Sequence, residues 1–377
     1  MRRGGGFYIG RRIPLAIPGI RPLPTRILLD HAATTPVLPQ ARAAMMRGFD
    51  GWANPSSPHA EGRRAFALLE QARATLAAEL GWRHDVIFTS GASEAVEIVA
   101  ARAKIAGKAH LATEHAIVSH AMGSASTAIP VGHDGLFDEQ ALDAVLASGP
   151  TLVAIQAVNN ETGILQPLDR LVPRIRSAGS LLLADCAQSA GKAPLSDADF
   201  IAVSAHKLGG PPGVGALLVR DLGLLDPVGG QEKGYRRGTQ DAPGALAFAA
   251  ALAVRPYDME RLAHLRVRLD DGVRAAGGVV IGEASPRLAT IGAVALPGAS
   301  SAALLVQFDL AGIAVSAGSA CSSGKMKSSH VLAAMGTSPE IAASFLRISF
   351  GPATSDADVD AFLELWQQIA DRMKRVA

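Results

Sequence analysis

The sequence predicts an α/β fold, with helices layered on a mainly parallel sheet and a second, smaller unit beside it. Short β-branched or leucine-rich runs alternate with alanine-rich stretches of helical length, the order in which strand–helix–strand units build a parallel sheet. The chain has 377 residues, beyond the roughly 250–300 at which one hydrophobic core stops growing. Polar and glycine-rich clusters follow the apolar runs directly, as expected where strand ends open on a crevice.

Taken in order, residues 1–26 carry six arginines, no acidic residue and four prolines, without periodicity; they read as a loose extension. The expected strands are Val86–Thr89, His110–Thr113, Leu152–Ala157, Leu181–Ala184, Phe200–Val203 and Ala216–Val219, each short, apolar and bounded by turn residues. Helices are expected near 58–80, 93–105, 138–147 and 167–178. Five of the strands run into Ser90-Gly91-Ala92-Ser93-Glu94, Glu114-His115, Asn159-Asn160-Glu161, Asp185 with Gln188, and Ser204-Ala205-His206-Lys207. Each cluster alone has a structural explanation: Ser93 as a helix cap, Asp185 closing a turn, His115 as a satisfied imidazole, Lys207 snorkelling from a strand end. In a parallel sheet, however, all five lie on one edge.

Composition narrows the class. The formal charge is +2, but without residues 1–26 the body holds 30 basic against 34 acidic side chains, which leaves no broad basic face for nucleic acid. No apolar stretch approaches the roughly 20 residues of a membrane span. Cys186 and Cys321 are too few for a disulfide framework and suit a reducing cytoplasm; no Cys-x-x-Cys or His-Glu-x-x-His spacing suggests a structural zinc site.

The crevice has the parts for imine chemistry. A lysine desolvated at a strand end becomes a nucleophile toward carbonyls, and pyridoxal phosphate is the cofactor that uses one most productively. Its pyridine nitrogen needs a carboxylate, for which Asp185 is the candidate. Its phosphate needs N–H groups at a helix start and hydroxyl or imidazole donors, which Ala92, Ser93, Ser204 and His206 offer. Gln188 or Asn160 can donate to the phenolic oxygen, and His115 can stack on the ring.

Several motifs then resemble the cysteine desulfurases, of the iron–sulfur (nitrogen-fixation and housekeeping) type: Asp30-His31-Ala32-Ala33-Thr34-Thr35-Pro36, Asn54-Pro55-Ser56-Ser57, Phe88-Thr89-Ser90-Gly91-Ala92-Ser93-Glu94, Asn159-Asn160-Glu161-Thr162-Gly163, Asp185-Cys186-Ala187-Gln188-Ser189-Ala190-Gly191-Lys192, Ser204-Ala205-His206-Lys207 and Arg237-Gly238-Thr239. They run in order from about residue 27 to the C-terminus. The resemblance implies an aspartate-aminotransferase-like fold of type I, class V, with 38–255 as the cofactor domain and 27–37 plus 256–377 as the small domain. It implies that Lys207 holds pyridoxal phosphate, that Thr239 reaches the phosphate of a second subunit in a homodimer, and that Arg347 and Asn160, with Asn54 beside them, bind the substrate carboxylate. Ser93 stands where threonine is usual and keeps the hydroxyl. The surroundings of Arg236 and Arg237 depart from the pattern.

Cys321 distinguishes desulfuration from other pyridoxal reactions. It sits in Ser316-Ala317-Gly318-Ser319-Ala320-Cys321-Ser322-Ser323-Gly324 with Lys325 and Lys327 following, surroundings that oppose burial and favour the thiolate. The resemblance implies that Cys321 takes sulfur from L-cysteine as a persulfide, leaves alanine, hands the sulfur to an iron–sulfur scaffold or another acceptor protein, and can share a transient iron–sulfur cluster. An aminotransferase or selenocysteine lyase of the same fold, and a non-catalytic docking subunit, are the rival readings.

Overall fold

A computed structural model describes residues 26–318 and 329–376. The chain enters through β1 (Ile27–Leu28), forms helices α1 (Pro39–Phe49) and α2 (Ala60–Glu79), and then lays down β2 (Asp85–Thr89), β3 (Gly107–Leu111), β4 (Thr127–Ile129), β5 (Thr151–Gln156), β6 (Leu181–Asp185), β7 (Phe200–Ser204) and β8 (Gly215–Val219). Helices α3 (Ala92–Arg102), α4 (Ala116–Met122), α5 (Glu139–Ala147) and α6 (Leu168–Ser177) lie in the connections. The seven strands form one sheet in the order β2-β8-β7-β6-β5-β3-β4. Neighbours from β7 through β4 are parallel, and β8 runs against both β7 and β2. The expected mainly parallel sheet is therefore present, with one reversed strand.

Alternation within the strands explains why they stay in place. Val153, Ile155, Leu182, Ala184, Ile201 and Val203 face one apolar layer, while Leu152, Ala154, Leu183, Phe200 and Ala202 face the other. A sheet covered on both faces needs such near-continuous apolar strands. The expected strand 110–113 lies at Gly107–Leu111 instead: Thr113 turns out of the sheet, its carbonyl taken by the amides of Gln156 (2.7 Å) and Asn159 (3.1 Å). The other expected strands and helices match to within a few residues.

Beyond the sheet come α7 (Ala242–Val254), α8 (Met259–Ala275), β9 (Val279–Ile281), β10 (Ile291–Ala295), α9 (Ser301–Leu310), β11 (Ile313–Ala314), α10 (His330–Ala334), α11 (Pro339–Ala343), β12 (Phe345–Ser349) and α12 (Asp356–Val376). Strands β12-β10-β9 form an antiparallel sheet, and β1 pairs in parallel with β11. Stacked Phe308 and Phe362, with ring centroids 4.7 Å apart, and buried Trp366 join α9 to α12. Because β1 pairs with β11 and Asp30 bridges to Ser349, the start of the described chain is bound to its C-terminal part. This places Asp30 and Arg347 side by side near the large sheet. Among the described residues no helix is long and apolar enough to cross a membrane.

Candidate active site

The carboxyl ends of β2, β3, β5, β6 and β7 open on a cavity of about 570 Å³, within the range of small-molecule sites. Lys207, His115, Asp185, Gln188, Ser204, His206, Ala92, Ser93, Asn160 and Arg347 all line it. Asn54 and Thr239 are exposed and do not line it; the Asn54 carboxamide instead accepts from Ser56 N–H at 2.9 Å. Cys321 lies outside the described residues, but Gly318 and His330, on either side of it in sequence, line the cavity.

Lys207 follows β7 at the end of a single 3-10 turn, Ala205–Lys207. The next turn bends sharply at Gly209 (φ +96°), where a Cβ would also lie 2.6 Å from Leu38 Cγ, so a larger residue would displace the lysine's support. The Lys207 carbonyl accepts from Tyr257 Oη (3.2 Å) and Thr35 Oγ1 (3.3 Å). Burial pulls the Lys207 amine from 10.5 down to about 8, against the opposing pull of Asp185 and helped by the like charge of Arg347. Lys192, over the Tyr257 ring at 4.9 Å, is pulled down further by burial, to about 7.

Asp185 ends β6, in register with Gln156 of β5, and its Oδ1 accepts Ala187 N–H at 2.9 Å. Buried Glu114 lies in the turn after β3, on the far side of β5 from β6, accepting Gln156 N–H through Oε1; Oε2 has no partner among the described residues. Burial first, and then repulsion by Asp185, holds its carboxyl well above the usual carboxylate range.

His115 caps α4, its Nδ1 accepting Ile117 N–H at 3.3 Å. That contact leaves the ring proton on Nε2 when the imidazole is neutral. Burial lowers its pKa, with Lys207 and His330 adding to the effect and Asp185 opposing it. His206 is lowered to about 4 by burial and then by Lys207 and Lys192. Cys186 is a packed strand-end residue: it is buried, and burial pushes its thiol up to about 12.

Arg347 sits on β12, with Nη2 on Asp30 Oδ1 (2.7 Å), Nη1 on the Asn160 carbonyl (3.1 Å) and buried Nε without a partner among the described residues. The guanidinium expected to bind the substrate carboxylate is paired here with the Asp30 carboxylate. Asp30 lies 317 residues from its partner, so no spacing in the sequence marks the pair. His330 Nε2 donates to the Glu114 carbonyl at 2.9 Å, and nothing in the sequence marks that contact.

These residues fit pyridoxal phosphate. Helix α3 begins at Gly91 with no side-chain cap, so the N–H groups of Ala92 and Ser93 are available to an anion. Gly215 lets β8 approach that turn; a Cβ there would lie 2.6 Å from Gly91 Cα. Gln188 is buried with Oε1 unpartnered among the described residues, and Nε2 gives one hydrogen to the Ala32 carbonyl at 3.0 Å and keeps another.

The class-V aminotransferase family model matches residues 27–362. Cysteine desulfurase 2 of Trichormus variabilis is 35% identical, over 93% of this chain and 94% of that protein. A NifS-like protein of Rickettsia africae superposes with a TM-score of 0.84 at 29% identity, covering 92% of this chain and all of that one. A structure described as SspA in complex with cysteine superposes with a TM-score of 0.75 at 28% identity, covering 88% and 100%. With a lysine, an aspartate and a helix start set on one strand edge as pyridoxal phosphate requires, and with that likeness running nearly end to end, the chain belongs to the class-V aminotransferase family, in its cysteine desulfurase group.

Proposed function

We propose that this chain is a pyridoxal-phosphate-dependent cysteine desulfurase that releases L-alanine from L-cysteine and keeps the sulfur on Cys321 as a persulfide. The observation that carries the reading is Lys207, an amine with its pKa brought down to about 8, facing Asp185 in a cavity that Gly318 also lines. Gly318 is three residues from Cys321, and three residues span at most about 11 Å.

When bound, pyridoxal phosphate supplies an electron sink for the pair left behind by the departing α-proton. Ala187 N–H holds the Asp185 carboxylate through Oδ1, and that carboxylate would pair with the pyridine nitrogen. Lys207, partly neutral near pH 8, accepts the α-proton. Arg347 and Asn160 line the cavity where the substrate carboxylate arrives, and that carboxylate shares the Arg347 fork with Asp30 or displaces it. His115, with its proton on Nε2, manages the proton at the substrate sulfur. The Cys321 thiolate attacks that sulfur: an S–S bond forms, the Cβ–S bond breaks with its electrons staying on carbon, and two protons complete alanine, one taken up at Cβ and one returned to Cα by Lys207.

The reading extends to a homodimer in which Thr239 serves the partner's phosphate. Supporting it, Thr239 is exposed outside its own cavity, and Met46, Phe49, Trp52 and Phe66 leave large apolar surfaces exposed on α1, α2 and their connection. Sedimentation should show a dimer that Trp52→Asp weakens. We read 38–255 and 27–37 plus 256–377 as the two domains, supported by the β1–β11 pairing, and place the protein in the cytoplasm, passing sulfur to an iron–sulfur scaffold or similar acceptor.

The test is to incubate the purified chain with L-cysteine and quantify alanine, sulfide and protein-bound persulfide. Alanine and persulfide should form one for one in a single turnover. Cys321→Ser should still bind cofactor and respond to cysteine in its visible spectrum, yet yield no sulfide. Sulfide from that variant with dithiothreitol present refutes the mechanism.

A further inference from the structure

The segment from Gly229 to Gln240 is held in a conformation that its residues do not favour. Glu232 (φ +51°) and Lys233 (φ +56°) are both left-handed without being glycine, which persists only where the surroundings over-determine it. Three contacts do so. The buried Glu232 carboxylate accepts from Arg73 Nη1 (2.7 Å) and Nη2 (3.0 Å), Phe88 N–H (2.8 Å) and Gln240 Nε2 (3.2 Å). Lys233 pairs with Asp85 at the start of β2. Arg236 Nε donates to Glu94 Oε1 at 2.8 Å.

The third contact differs from the other two in what stands behind it. Glu94 is in the first turn of α3, and its second oxygen, Oε2, accepts the N–H of Ser90. Ser90 and Gly91 form the turn that leads into the helix start, and both line the cavity with Ala92 and Ser93. One carboxylate therefore spans from the braced segment to the turn. Arg236 and Glu94 are both largely covered, with side-chain exposures of 20% and 25%, so the pair is shielded from most solvent screening.

We propose that Arg236 is a positioning residue for the cofactor phosphate, acting through Glu94 to hold the Ser90-Gly91 turn so that the free N–H groups of α3 converge on one point. This rests on the reading of the cavity as a pyridoxal phosphate site. Arg236 itself does not line the cavity, so its effect must pass through the carboxylate. Without Arg236, Glu94 keeps its Ser90 contact but loses the Arg236 Nε hydrogen bond that fixes its rotamer. The turn then samples orientations in which fewer N–H groups meet the phosphate.

The experiment compares wild type, Arg236→Gln, Arg236→Lys, Glu94→Gln and the double variant Arg236→Gln/Glu94→Gln, each stripped of cofactor. Each is titrated with pyridoxal phosphate and, separately, with pyridoxal, which lacks the phosphate. A charge-assisted hydrogen bond is worth about tenfold or more in an equilibrium constant. Arg236→Gln should therefore weaken pyridoxal phosphate by about tenfold and leave pyridoxal within twofold. The double variant should be no weaker than the poorer single one, and Arg236→Lys should recover part of the loss.

Equal weakening of both ligands by Arg236→Gln would assign Arg236 a general structural role and overturn the proposal. So would full additivity in the double variant, or an Arg236→Gln protein that matches wild type. Wild type taking up neither ligand would instead sink the cofactor reading itself.

Discussion

The depressed Lys207 amine makes a prediction whose size and sign both follow from the site. Ordinary lysine titrates at 10.5, and burial brings Lys207 to about 8. At pH 7 that difference corresponds to roughly 300-fold more neutral amine, about one molecule in ten. Since only the neutral amine attacks the aldehyde of pyridoxal phosphate, covalent uptake by cofactor-free protein should rise with pH through a midpoint near 8 and level off about one to two pH units above it. Asp185 favours the charged amine and Arg347 disfavours it. Asp185→Asn should accordingly move the midpoint down, and Arg347→Gln should move it up. Stopped-flow visible absorbance between pH 6 and 10 reads the midpoint directly. A midpoint near 10 in wild type, or an upward movement in Asp185→Asn, refutes the electrostatic account of this lysine.

His115→Ala should keep cofactor absorbance while alanine formation falls by about 10²–10⁴-fold, the usual worth of a positioned acid or base; because its imidazole is held below the ordinary 6.5, the wild-type acid limb assigned to it should fall below that pH. Gly215→Ala would set a Cβ 2.5 Å from the Val203 carbonyl oxygen and 2.6 Å from Gly91 Cα; pyridoxal phosphate affinity, measured by titration, should drop well before the fold is lost. Glu232→Ala leaves Arg73 buried without its bidentate partner, and urea unfolding should show a loss of about 3–5 kcal/mol.

Much of this was legible because strand ends announce themselves. Phe200–Ser204 is buried throughout and gives way at once to His206 and Lys207, and the same switch from apolar to polar marks Asp185 at the end of β6. Alternation could not mark Ile291–Ala295, an alanine- and glycine-containing strand buried at every position, nor Phe345–Ser349. Both form sheet with partners that only the tertiary fold supplies. The same reason hid Asp30 beside Arg347. Two opposite charges 317 residues apart leave no spacing to read, and an arginine seen alone looks free for a substrate. Thr113 shows the converse: its β-branched side chain favours a strand, yet side-chain donors from Gln156 and Asn159 draw its carbonyl out of the ladder.

The distribution of charge explains why the end of the site proposed for the phosphate carries so little cationic signature. Arg347 is matched by Asp30, Lys207 faces Asp185, and Arg236 is committed to Glu94. His206, brought to about 4 by burial and the nearby lysines, is neutral before an anion arrives. A phosphate entering at the start of α3 therefore meets backbone N–H groups, the helix dipole, hydroxyls and a neutral imidazole rather than a free ammonium or guanidinium. Such donors are directional, and their strength depends on how well the turn bearing them is held. Charge held back from the ligand acts instead on the geometry of the turn: Arg236 neutralises Glu94, and Glu94 fixes Ser90. A search for basic residues would pass over this end of the cavity, because its nearest arginine, Arg236, is paired with Glu94 behind the turn that bears the N–H groups.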